Sequence, residues 1–178
     1  MSPGRISTKT NFRRFEDFIG RALEALGYEV RKEVRLPENS SPRKVQFADY
    51  VISKDNDKKI VEVKYYTLNS GPYSSLDRAY LQVLTMLELN PEYSGVVITN
   101  FVFSKGRIEG LRKRFSDRIV YWSLKDILLQ LGDHPDLLEE ALHFIPPDKR
   151  EQWLPNFHKI QSARLRTNDE YALSLIHI

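Results

Sequence analysis

The sequence predicts an α/β fold in which a mixed central sheet is flanked by helices, and three features carry that expectation. Short apolar runs rich in β-formers alternate with segments of helical periodicity, giving the order α-β-β-β-α-β-α-β-α over residues 11–132. The first three runs are separated only by turn-rich loops, which suits an antiparallel meander. The later runs are separated by helix-length segments, which suits parallel strands joined by crossovers. The 178 residues are 41% hydrophobic and 29% charged, enough for one buried core with room for a small appendage.

From Asn11 to Leu26 the positions Phe12, Phe15, Ile19, Ala22, Leu23 and Leu26 recur at three- and four-residue steps, the stripe of one helical face, and Gly27 ends it. YEVRKEVRL leads through the polar loop PENSSPR into KVQFADYVIS, and the turn KDND joins that run to KKIVEVKYY. After a loop holding Gly71 and Pro72, SLDRAYLQVLTMLEL forms a helix that stops near Asn90-Pro91. GVVITN is a short buried strand, Ser104 caps a basic helix running to about Phe115, and RIVYWS is another strand. Ser123 with Asp126 makes a capping box for SLKDILLQLG.

Beyond Gly132 the pattern weakens, because Pro146, Pro147 and Pro155 interrupt it. Residues 133–172 are therefore expected to be an appendage or linker with one short helix, and residues 1–10 a flexible basic N-terminus. Leu173–Ile178, LSLIHI, matches the translation of a transposon-end sequencing adapter. It is expected to be an artefact, with a further domain once following it.

There is no cysteine, which removes disulfides, thiol catalysis and zinc sites built on thiolates, and fits a reducing cytoplasm. No run approaches the ~20 apolar residues of a membrane span, and MSPGRISTKT lacks the apolar stretch of a secretory signal. The net charge of +3 favours polyanionic partners. Its distribution is uneven: Arg5, Lys9, Arg13 and Arg14 stand without an acid among residues 1–14, and residues 105–118 hold six cations against Glu109 and Asp117.

Chemistry concentrates in the second and third strands. Val45, Phe47, Asp49 and Val51 share one face of an alternating strand, so a carboxylate interrupts an apolar row. On the next strand Glu62 and Lys64 share a face, with Val61, Val63 and Tyr65 on the other. A hairpin centred on Asp55-Asn56 puts Asp49 directly across from Glu62. Like charges so placed repel unless a cation bridges them, and Mg²⁺ is suited to carboxylate oxygens. A three-residue turn would instead separate the two onto opposite faces. Glu16 interrupts the inward stripe of the first helix, and Gln82 lies near the row of Ala79, Val83 and Met86 on the second.

Asp49, then Glu62-Val63-Lys64, preceded by a helix with Glu16 and followed by a helix with Gln82, resembles the PD-(D/E)xK nuclease superfamily, and most closely its Mrr-like restriction endonuclease branch. The resemblance extends through GVVITNFVFSKG and IVYWSLKDILLQL and covers about residues 11–132; Ala48 stands where the motif's proline would be. It implies a restriction-endonuclease-like αβββαβ core and a Mg²⁺-dependent endonuclease acting on DNA in a defence role, with Mn²⁺ as a substitute. It implies that Asp49, Glu62 and the Val63 carbonyl bind metal and that Lys64 orients the attacking water. Glu16 would support a second metal or its waters, and Gln82 would position Lys64 or the water.

Simpler explanations stand beside these. Asp49 could be a turn acid paired with an arginine, Glu62 and Lys64 a surface ion pair, Glu16 an ordinary helix acid and Gln82 a bystander. Lys105, Arg112, Lys113 and Arg114 are suited to DNA phosphates or simply to water. Two other functions fit the same residues: a catalytically inactive nucleic-acid-binding domain of this fold, or a nuclease selective for junctions or single strands. Double-strand cleavage would need two active sites, hence a homodimer.

Overall fold

The computed structural model describes residues 8–36, 46–67, 72–132, 134–146 and 149. The adapter-like hexapeptide, most of the expected linker and residues 1–7 lie outside the described residues. The elements are α1 (Thr8–Ala25), β1 (Glu29–Leu36), β2 (Gln46–Lys54), β3 (Asp57–Lys64), α2 (Pro72–Leu89), β4 (Ser94–Thr99), α3 (Lys105–Arg114), β5 (Ile119–Ser123), α4 (Leu124–Gln130) and α5 (Pro135–Ala141). The strands lie in sequence order in one mixed sheet. β1, β2 and β3 are antiparallel neighbours, and β3, β4 and β5 are parallel, as the loop lengths predicted.

Helices cover both faces of the sheet. On one side Phe15, Phe18, Ile19, Ala22 and Leu23 of α1 pack with Leu124, Ile127 and Leu128 of α4 on Val61, Val63, Val96 and Ile98. On the other, Leu76, Ala79, Tyr80, Val83, Met86 and Leu87 of α2, with Leu111 of α3, pack on Ile60, Val97 and Ile119. Strands buried on both faces explain the nearly continuous apolar runs of β3 and β4. α2 approaches β4 closely: a Cβ on Gly95 would stand 2.4 Å from Val83 Cγ1. Among the described residues no helix is long and apolar enough to cross a membrane.

Local signals hold where they were chemically specific. Gly27 ends α1 with φ +91°, and Asp55 and Asn56 take φ 51° and 66°, the two left-handed residues of a two-residue hairpin turn between Lys54 and Asp57. Ser104 accepts from the Arg107 N–H, and Ser123 and Asp126 form the capping box.

Two expectations are corrected. The boundary at Gly132 does not separate an appendage, because Ala141, Phe144 and Ile145 are buried in the α1 side of the core. Arg21 holds Glu140 through two hydrogen bonds, at 2.7 and 2.5 Å. The alternation expected along β2 also breaks. Tyr50 and Ile52 face α1, but Ala48 and Val51 both belong to the α2 side, and Phe47 is 60% exposed. Val45 lies outside the described residues. β1 breaks at the same level, with Val30 on the α1 side and Val34 and Leu36 on the α2 side. The register is unchanged across the break: Lys32 pairs with Tyr50 and Val34 with Ala48, which leaves Glu33 opposite Asp49.

Candidate active site

The β2–β3 ladder runs from Lys54–Asp57 to Tyr50–Val61 and stops there. One step further the hairpin register brings Asp49 level with Glu62, as the turn predicted. The backbone has already opened. Continued pairing would send the Val63 N–H to the Ala48 carbonyl, but the Asp49 Oδ2 accepts it instead, at 2.8 Å. Within a strand the N–H and C=O of one residue point to the same side, so the Val63 carbonyl faces the same gap. Lys64 Nζ donates to Glu62 Oε1 at 2.6 Å, and Glu62 Oε2 is buried with no hydrogen-bond partner. The site is therefore a fork between two strands, floored by peptide groups and lined by two carboxylates and an ammonium.

Burial sets the electrostatics. Glu62 is 1% exposed, and its carboxyl is pushed up to about 7, first by burial and then by the Asp49 charge, with Lys64 opposing. Burial also raises Asp49, against the pull of the Val63 N–H and of Lys64. Glu16 is raised by burial and then by Asp49. The three acids thus share one field. A carboxyl raised on folding binds its proton more tightly in the native chain, so between 4.5 and about 7 the native state holds more protons than the unfolded one. Stability is expected to rise as the pH is lowered through that window. Thermal melts of wild type and Glu62→Gln measure it: the variant should lose most of the slope, and an unchanged slope would show that Glu62 is not its source.

The remaining predicted residues divide. Glu16 reaches the site edge, its carbonyl accepting from Tyr50 Oη at 2.8 Å and its carboxylate 3.8 Å from Lys32 Nζ. Gln82 is half-buried beside Val83, and no hydrogen bond links it to Lys64 or Glu62 among the described residues. The α3 cations do not form one cluster. Lys105 begins the helix after the loop that follows the Thr99 end of β4, which pairs with Lys64, whereas Arg112, Lys113 and Arg114 end it, just before β5 starts at the Gly95 end. Arg112 pairs with Glu109 at 3.3 Å and Arg114 with Asp77 at 3.2 Å, while Lys105 and Lys113 are exposed.

Three participants were missed. Lys32 on β1 donates to Asp17 at 2.6 Å and stands beside Glu16. Glu33 has φ 51°, a left-handed conformation that nothing in EVRKEVRL announces. Asn100 clamps the chain just past Lys64: its Oδ1 accepts from the Tyr66 N–H at 2.8 Å, and its Nδ2 donates to the carbonyls of Tyr66 and Phe144 at 2.9 and 3.2 Å. A polar residue ending the buried run GVVITN was the available signal for Asn100.

Among the described residues no three His, Asp or Glu side chains gather into a ready-made cage. The donors are instead two carboxylates, one with an unpartnered buried oxygen, beside a carbonyl facing the gap. Mg²⁺ keeps several waters and takes one or two carboxylates plus substrate phosphate, so this set fits it. Glu16, held beside Lys32, stands at the edge of that set.

Comparison with protein families and with curated proteins finds no match. Among solved structures the chain is similar to the crystal structure of AF1548, a protein of unknown function. The two share 14% identity with a TM-score of 0.47, over 86% of this chain and 100% of that one.

Proposed function

We propose that the chain is a Mg²⁺-dependent DNA endonuclease of the restriction type, built on a restriction-endonuclease-like core and related to the Mrr-like branch of the PD-(D/E)xK nucleases. One observation carries this: Asp49, Glu62 and Lys64 meet where β2 and β3 part, with a buried oxygen of Glu62 left for a further ligand. An ordinary surface ion pair contributes only about 0–1 kcal/mol and gives no reason to bury Glu62 beside a second acid.

Asp49 and Glu62, with the Val63 carbonyl, would hold the metal, and Mn²⁺ would substitute for Mg²⁺. A metal held there would supply polarisation of a phosphoryl oxygen and a lowered pKa for water. The side chain of Lys64 is 28% exposed, so its ammonium can leave Glu62 to orient the attacking water and to neutralise charge on the phosphorane-like transition state. Glu16 adds negative field at the site edge. Lys105, Arg112, Lys113 and Arg114 of α3 would meet backbone phosphates of the duplex.

Supercoiled plasmid tests the reading. Wild type is expected to convert it to open-circular or linear DNA with Mg²⁺ or Mn²⁺ and to stop when a chelator is added. Retarded but uncut plasmid under both metals would leave a nucleic-acid-binding domain in place of the enzyme. Cutting confined to branched or single-stranded DNA would replace the restriction role with a structure-selective one.

A further inference from the structure

We propose that Glu33 is a positioning residue, whose left-handed backbone turns β1 and β2 over together and thereby delivers the Asp49 carboxylate to the fork. Glu33 has φ 51° within a strand, a conformation that residues other than glycine, asparagine and aspartate rarely adopt. Its place opposite Asp49 is the one level of the β1–β2 register without a formed pair between Lys32–Tyr50 and Val34–Ala48.

On the hairpin side of that level Val30, Tyr50 and Ile52 face α1; on the other side Val34, Leu36 and Ala48 face α2. A regular strand cannot do this, because residues two apart share a face. One left-handed residue reverses the sequence of faces in β1 without adding or removing a residue, so the ladder keeps its register while both strands rotate. Rotation lifts the Ala48 peptide away from β3, and the vacated Val63 N–H takes the Asp49 Oδ2 instead, at 2.8 Å. An unrotated β2 would pair Ala48 with Val63 and leave Asp49 projecting from the face of the sheet.

The side chain of Glu33 is exposed, and its charge reaches Asp49 and Glu16 only as a minor contribution behind burial and nearer groups, so the inferred role lies in its backbone. The consequence for catalysis rests on the nuclease reading; the geometric part does not.

Amide hydrogen exchange of the full-length chain, read by NMR at Val63 and at Val61 as an internal reference, separates the two. Glu33→Val disfavours the left-handed region. It is expected to speed Val63 exchange by about tenfold or more while Val61 changes by less than about threefold. Mg²⁺-dependent nicking should fall by about tenfold or more in the same variant. Glu33→Gln keeps the backbone preference and removes the charge, and should match wild type in exchange and in nicking.

Glu33→Gly relieves the strained φ and should raise Tm with Val63 protection retained. Unchanged Val63 exchange in Glu33→Val overturns the proposal, and so does loss of Val63 protection in Glu33→Gln. If Glu33→Val does not fold, Glu33→Gly decides: a lower Tm with Val63 exposed overturns it. A wild type that shows the exchange pattern but cuts no DNA leaves the positioning role standing and removes the nuclease.

Discussion

Asp49→Asn is expected to lower Mg²⁺-dependent nicking by roughly 10²–10³-fold, the scale of losing one preorganised charge at a reacting phosphate, without unfolding the protein. Asparagine keeps an oxygen in the position that accepts the Val63 N–H at 2.8 Å and loses only the charge. Because burial raises the Asp49 carboxyl, its ionised form opposes folding near neutral pH, so Asp49→Asn should melt no lower than wild type. Asp49→Ala differs. It leaves the Val63 N–H without a partner, at a cost of about 1–3 kcal/mol, and loses activity as well. Lys64→Met should lose activity on the same scale, because the ammonium is the one cation bonded to Glu62 among the described residues. Initial rates on supercoiled plasmid, with melting curves for each variant, check all three. Wild-type nicking by Asp49→Asn would remove Asp49 from the metal site and the two-carboxylate mechanism with it.

The site was legible where a single local choice fixed a long-range relation. A hairpin centred on Asp55-Asn56 gives one register with either a two- or a four-residue loop, and that register brings Asp49 level with Glu62 five ladder steps from Lys54–Asp57. Helix order followed from periodicity, and the parallel pairing of β3 with β4 and β5 followed from connection length. What escaped was the break at Glu33. Strand reading assumes that faces alternate without interruption, and a left-handed glutamate carries no compositional mark, unlike Gly27 at the end of α1. Lys32 escaped for a different reason: its partners Asp17 and Glu16 lie on α1, and only the packing of α1 against β1 brings them together. The α3 cations were read as a cluster because they are close in sequence, whereas a ten-residue helix separates its ends by about 15 Å.

Phe144→Ala is expected to destabilise the protein by about 3–5 kcal/mol, a loss larger than a surface appendage could produce. Its ring lies 5.3 Å from Phe15, 5.4 Å from Phe18 and 6.2 Å from Tyr65, and its carbonyl accepts from Asn100. The prolines after it hid this contribution, since Pro146 and Pro147 mark the end of regular structure without saying whether the residues before them are buried. A chain ending at Gly132 would remove Ala141 and Ile145 as well and expose the aromatic face of α1. It should fail to give a cooperative melt, whereas the full chain should give one. The link to function runs through Asn100, which ties the Phe144 carbonyl to the Tyr66 backbone two residues beyond Lys64. Loosening that tie gives Lys64 more positions than the one on Glu62, so the activity of Phe144→Ala should fall even at temperatures well below its melt. Full nicking activity at such a temperature would show that β3 holds Lys64 in place without the C-terminal segment.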